Sequence, residues 1–116
     1  MRIGFIGVGN MGGPIATHLL AAEHDLQAFD LNSQSLDRMA ELGADKATSA
    51  ANAADNAEVV FLSLPMPRDV EGVVSGDGGL FGTMSAGTTV IDLSTSSPSL
   101  SRQLAVEGQE RGIDFL

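Results

Sequence analysis

Short apolar runs alternate along the chain with longer stretches in which apolar residues recur every three or four positions. The short runs read as buried strands and the longer ones as amphipathic helices, so the repeating unit is a strand followed by a helix. Ile3 to Ile6 forms a first strand, and the stretch from about Asn10 to Ala22, with Ile15, Leu19 and Ala22 at helical spacing, forms a first helix. Pro14 falls near the end of its first turn, where a missing N–H costs few backbone bonds. Leu26 to Asp30 is a second strand. Asn32 or Ser33 caps a helix whose apolar face is Leu36, Met39 and Ala40, and Gly43 suits its left-handed exit. A third strand is placed around Lys46, and Ser49 starts an alanine-rich helix that ends near Asp55. Val59 through Leu64 is apolar on both faces, as an interior parallel strand must be, and Pro65 stops it. Val70, Val73 and Val74 share a helical face in spite of Gly72, and Gly76 to Gly79 is a loop. Val90 to Leu93 makes a fifth strand, and Ser97-Pro98 starts a helix lined by Leu100, Leu104 and Gly108 and ended by Gly112. Ile113 to Leu116 begins a sixth strand in which the sequence stops, so the expectation is one domain over 1–116, truncated within that strand.

Strands and helices in strict alternation predict an α/β domain: a parallel sheet covered by helices on both faces, three layers in all. The 116 residues, 43% of them apolar, suffice for one core and not for two domains of ordinary size. A formal charge of −9, with six scattered cations, argues against nucleic acid and anionic membranes as partners. The absence of cysteine and the presence of only His18 and His24 leave no ready ligand set for a metal. His18 reads as a half-buried packing residue and His24 as an exposed turn residue, neither with a catalytic role. Arg2 and the apolar stretch after it loosely imitate a leader, but Asn10, the glycines and Pro14 interrupt it and no cleavage pattern closes it. No run reaches the roughly 18–20 apolar residues of a membrane span, and a cytoplasmic location is expected.

The chemistry concentrates at Gly7-Val8-Gly9-Asn10-Met11-Gly12, which follows a strand and opens a helix. Gly7 allows a tight turn, Gly9 lets a pyrophosphate approach the backbone, and Gly12 permits close packing of helix on strand. The anion then sits on the amides of the helix N-terminus, which explains how an acidic chain can hold a diphosphate. Asp30 stands at the end of the second strand, 18 residues past Gly12, where a carboxylate accepts from ribose hydroxyls. No Arg in Asp30-Leu31-Asn32-Ser33 would offset a 2′-phosphate, which favours NAD over NADP. The expected architecture is therefore a Rossmann doubly wound sheet of order 3-2-1-4-5-6.

Three segments carry a resemblance: Phe5 to Ala16, then Leu64-Pro65, then Asp92-Leu93-Ser94-Thr95-Ser96-Ser97-Pro98. In that order and spacing the chain resembles the β-hydroxyacid dehydrogenase family, to which 3-hydroxyisobutyrate dehydrogenase belongs. The resemblance implies an NAD-dependent oxidoreductase acting on a small 3-hydroxy acid. Cofactor contacts would come from Gly7, Val8, Gly9, Asn10, Met11, Gly12, Asp30, Leu31, Leu64, Pro65, Asp69 and Thr95, with Ser94 near the substrate. Pro65 serves equally as a strand terminator, and Ser94 and Thr95 as a hydroxyl-rich lead-in to a helix. The family's all-helical C-terminal domain, which makes dimer contacts and implies a homo-oligomer, is absent from this chain. So are its Ser-Gly-Gly segment and its catalytic lysine, expected beyond Leu116; the chain's own Lys46 reads as solvated.

The chain departs from the family at Glu23, where a glycine is usual, so that turn is free to differ. It also has His18 where Asn is common. Two rival readings stay open: an NADPH-dependent semialdehyde, glyoxylate or imine reductase of the same family, and a non-catalytic nucleotide-binding module.

Overall fold

A computed structural model describes residues 1–94 and 97–116. Six strands, β1 (Arg2–Ile6), β2 (Asp25–Phe29), β3 (Asp45–Lys46), β4 (Val59–Leu62), β5 (Thr89–Asp92) and β6 (Asp114–Phe115), form one sheet of order β3-β2-β1-β4-β5-β6. Every neighbouring pair is parallel. The chain winds outward from β1 to β3, crosses back to lay β4 against β1, and winds the other way. The carboxyl ends of β1 and β4 thus mark the point where strand order reverses, which in open α/β sheets is where a crevice forms.

Alternation along the strands sorts the apolar residues between two cores. Ile3 and Phe5 of β1 join Leu26, Ala28, Ala16 and Met39, placing α1 (Gly12–Ala21) and α2 (Ser33–Glu41) on one face. Ile6, Val60, Leu62 and Val90 join Val70, Val74, Leu80 and Leu104 on the other, under α4 (Pro67–Ser75), α5 (Leu80–Thr83) and α6 (Pro98–Glu110), with the single-turn α3 (Ala50–Ala53) on the same side. Phe5 and Phe61, opposite one another in the β1–β4 register, stack with ring centroids 5.4 Å apart.

Several details differ from the pattern-based expectation. β4 ends at Leu62 because the Leu64 amide leaves the ladder and donates to Ser94 Oγ at 2.7 Å. Helix α5 was not expected; its four residues are too few to display a period, although Leu80 and Phe81 are both buried. The histidines exchange roles: His18 is exposed, since Gly12, Gly13 and Ala16 form the buried side of α1, and His24 is half-buried where the chain enters β2. At Glu23, where the family's glycine would stand, the turn is left-handed. Its φ is 67°, and the Glu23 and His24 amides donate to the Leu20 and Leu19 carbonyls at 3.0 and 3.3 Å. Glycine takes the same place after α2 and α6, at Gly43 and Gly112. Among the described residues no helix is long and apolar enough to cross a membrane.

Candidate functional site

The glycines of the loop between β1 and α1 divide by what surrounds them. Gly7 has φ 94°, and a Cβ there would overlap the Ser63 carbonyl at the end of β4. A Cβ at Gly12 would overlap the Gly7 carbonyl, so α1 can approach β1 only through a bare backbone. At Gly9 a Cβ would meet nothing within 4 Å. The packing of the protein demands the first two glycines and leaves the third open to the outside. Met11 at the N-cap offers α1 no side-chain cap, and no acidic residue sits in the first turn. The positive end of the helix dipole therefore faces the space above Gly9, a favourable place for an anion.

Asp30, just beyond β2, ties this loop to the next helix. Its Oδ2 accepts from the Val8 amide at 2.9 Å and its Oδ1 accepts from the Asn32 amide at 2.8 Å. Asn32 in turn caps α2, its Oδ1 accepting from Gln34 and Ser35 at 3.0 and 3.1 Å. Each oxygen of a carboxylate has two acceptor sites, so the half-buried Asp30 can still take two hydroxyl donors while holding both amides.

Between the β1 and β4 ends lies a cleft of about 520 Å³ whose walls include Gly7, Asp30, Leu31, Leu64, Pro65 and Asp69. The structure thus brings six of the residues singled out in the sequence to one cavity. Leu31 projects into solvent at 94% exposure. The Asp69 carboxylate accepts from the Met66 amide at 3.1 Å, fixing the start of α4 while lining the cleft. Val8, Gly9 and Asn10 border a second cavity of about 280 Å³ together with Arg38, on the side of α1 and α2. Met11 is exposed beside them at the helix start. Ser94 Oγ accepts from the Leu64 amide, and the Ser94 amide donates to Asp92 Oδ1 at 2.9 Å, so this hydroxyl joins the ends of β4 and β5. Thr95 lies outside the described residues.

Sequence reasoning missed Arg68 and Gly72, which share the main cleft. Their placement in the helix after β4, at the strand-order reversal, is the signal that could have found them. Lys46 is occupied elsewhere: its Nζ donates to Asp37 at 2.9 Å beside the edge strand β3. The arrangement offers amides and a dipole for a diphosphate, a carboxylate for a diol and an apolar cleft for a ring. Among the described residues lining it, Arg68 is the one cation and no lysine or histidine takes part.

Residues 2–116 match the family described as the NAD binding domain of 6-phosphogluconate dehydrogenase. An NAD-dependent L-serine dehydrogenase of Pseudomonas aeruginosa is 40% identical over 115 residues, 99% of this chain and 39% of that protein. A 3-hydroxyisobutyrate dehydrogenase of the same organism is 39% identical over 114 residues, 98% of this chain and 38% of that protein. The chain spans about two fifths of the length of these curated relatives. Among solved structures, Psf3 in complex with NADP+ and 2-OPP superimposes with a TM-score of 0.90 at 28% identity, covering 97% of this chain and 40% of that one.

Proposed function

Since the chain belongs to the family of NAD-binding domains that 6-phosphogluconate dehydrogenase shares with the 3-hydroxyisobutyrate dehydrogenases, we propose that it is the cofactor-binding part of an oxidoreductase. The enzyme moves hydride between NAD and a small 3-hydroxy acid of the 3-hydroxyisobutyrate type. The observation that carries this reading is Gly9, open on its outer side between two glycines that packing requires, with Asp30 bonded to the adjacent Val8 amide. A bound nicotinamide dinucleotide supplies the hydride acceptor and donor. The residues of this chain do the holding. The loop from Gly7 to Gly12 receives the diphosphate, Asp30 the adenosine ribose, and Leu31, Leu64, Pro65 and Asp69 border the adenosine side of the cleft. By the family resemblance, Ser94 and Thr95 would serve the nicotinamide and the substrate.

The proton on the substrate hydroxyl needs an acid/base group, which the family provides with a lysine. Lys46, paired to Asp37 at the sheet edge, cannot take that part. The 116-residue chain is therefore expected to bind cofactor without turnover. In the complete enzyme, a helical domain would close the site and form the contacts of a homo-oligomer.

Calorimetric titration with NAD and NADP, repeated on Asp30→Ala, tests the assignment. NAD should bind more tightly than NADP, and Asp30→Ala should remove that preference, a change of about 1–3 kcal/mol in the difference between the two. Failure of both nucleotides to bind at millimolar concentration would refute the proposal. A second reading, an NADPH-dependent semialdehyde, glyoxylate or imine reductase, draws on Arg68, a cation in the same cleft as Asp30, and on the NADP+ held by Psf3. It predicts the opposite nucleotide preference in the same titration.

A further inference from the structure

The chain has no cysteine, so the thioethers of its five methionines are its most readily oxidised side chains. The fold sorts them by access. Met39, on the inner side of α2, is 2% exposed, and Met84 is half-buried against the other core. Met1, Met11 and Met66 are exposed, Met11 most of all at 66%. Met11 also stands where a new acceptor would matter. It is the N-cap of α1 and its side chain makes no capping bond. Among the described residues, the amides of Asn10, Met11 and Gly12 have no partner. The residues that favour an N-cap bring a side-chain oxygen to such amides, whereas a thioether is a weak acceptor.

We propose that Met11 is a site of reversible oxidation by peroxide, and that its sulfoxide weakens nucleotide binding at the loop. The sulfur lone pair attacks one oxygen of hydrogen peroxide and the O–O bond breaks. The proton on the retained oxygen passes to the departing one, which leaves as water, so the sulfur is oxidised and the peroxide reduced by two electrons each. The new sulfoxide oxygen is a strong acceptor on a flexible side chain whose own amide is among those left free. Oxidation thus gives Met11 the side-chain oxygen that an N-cap favours. An oxygen holding these amides takes away donors that the diphosphate would use, and its partial negative charge opposes an anion at the positive end of the helix dipole. The effect on binding rests on the proposed function; the site of oxidation does not. Met11 belongs to neither core, so its oxidation leaves the packing intact, whereas oxidation of Met39 would place a polar group inside it.

The test treats the parent chain with dilute hydrogen peroxide, locates the added oxygen by peptide mass spectrometry, and measures Tm and NAD affinity before and after. Met11 should be converted about tenfold or more faster than Met39. Saturating NAD should slow conversion of Met11 and leave that of Met1, at the opposite end of β1, unchanged. The chain carrying the sulfoxide at Met11 should bind NAD about 3- to 10-fold more weakly with Tm shifted by less than about 2 °C, and methionine sulfoxide reductases should restore the affinity. In Met11→Leu, whatever its starting affinity, peroxide should leave NAD binding where it was, while Met66→Leu should respond as the parent does. Conversion of Met11 no faster than Met39 would overturn the proposal, as would a loss on peroxide treatment as large in Met11→Leu as in the parent. A loss of affinity that appears only with a fall in Tm would also overturn it, by tracing the effect to the core. If the untreated parent takes up no NAD, the proposed function falls and this regulation with it. Uptake by the parent that persists in full after oxidation at Met11 removes the regulation alone.

Discussion

A hydrogen atom in place of a methyl group means different things at Gly9 and at Gly12. Gly12→Ala must push α1 away from the Gly7 carbonyl and should destabilise the domain by about 2–3 kcal/mol in urea unfolding. Gly9→Ala should unfold within about 0.5 kcal/mol of the parent and yet lose nucleotide affinity, since its methyl group would occupy space that no protein atom uses. Equal destabilisation by the two would remove the distinction. Glu23 presents the reverse case, a side chain where the backbone favours none. Its left-handed φ makes Glu23→Gly stabilising by about 1 kcal/mol, visible as a higher urea midpoint with unchanged slope. At this scale the loop glycines and Asp30 were legible in the sequence because their spacing is the chemical requirement itself. The grip of Asp30 on the Val8 amide was not, since it joins residues a whole helix apart. Arg68 and Gly72 were hidden for a related reason: the valines that betray α4 face the core, and a pattern reading follows the buried side of a helix.

The elements were read well where a period had room to repeat. The interior strands β2, β1, β4 and β5 follow from apolar runs separated by amphipathic ones, because a parallel strand covered on both faces has no polar side to obscure it. The edge strand β3, by contrast, is an exposed Asp45–Lys46 pair, and the strand order follows from the glycine loop and the fold it implies. Four-residue α5 gives no such repeat, and β4 ends earlier than its apolar run because the Leu64 amide is taken by the Ser94 hydroxyl just beyond β5, a partner invisible to local pattern. Caps were legible in advance, since Asn32, Ser49 and Ser97 all accept from amides of the helices they precede. Asn32→Ala should cost about 1 kcal/mol of stability in denaturant unfolding. Because Asp30 holds the Asn32 amide rather than its side chain, the same variant should retain most of its nucleotide affinity. Abolished binding at intact stability would instead place the Asn32 side chain on the ligand.

For the molecule as a whole, a chain of charge −9 meets an anionic nucleotide, and the repulsion is long-ranged while the holding contacts are backbone amides at close quarters. Salt screens the former far more than the latter. NAD affinity should therefore stay level or rise between about 20 and about 200 mM NaCl; a steep fall would mean that arginine charge, not amide geometry, dominates capture. The order of the sheet carries a kinetic consequence as well. β1 and β2 are joined by one helix, so the loop and Asp30 belong to a unit that can assemble early from near neighbours. The cleft wall on α4 arrives only when β4 zips along β1, a pairing between segments half the chain apart and correspondingly slow to close. In refolding, the ability to take up nucleotide should emerge with the last phase rather than with the first appearance of helix, making the ligand a clock for the longest loop in the fold.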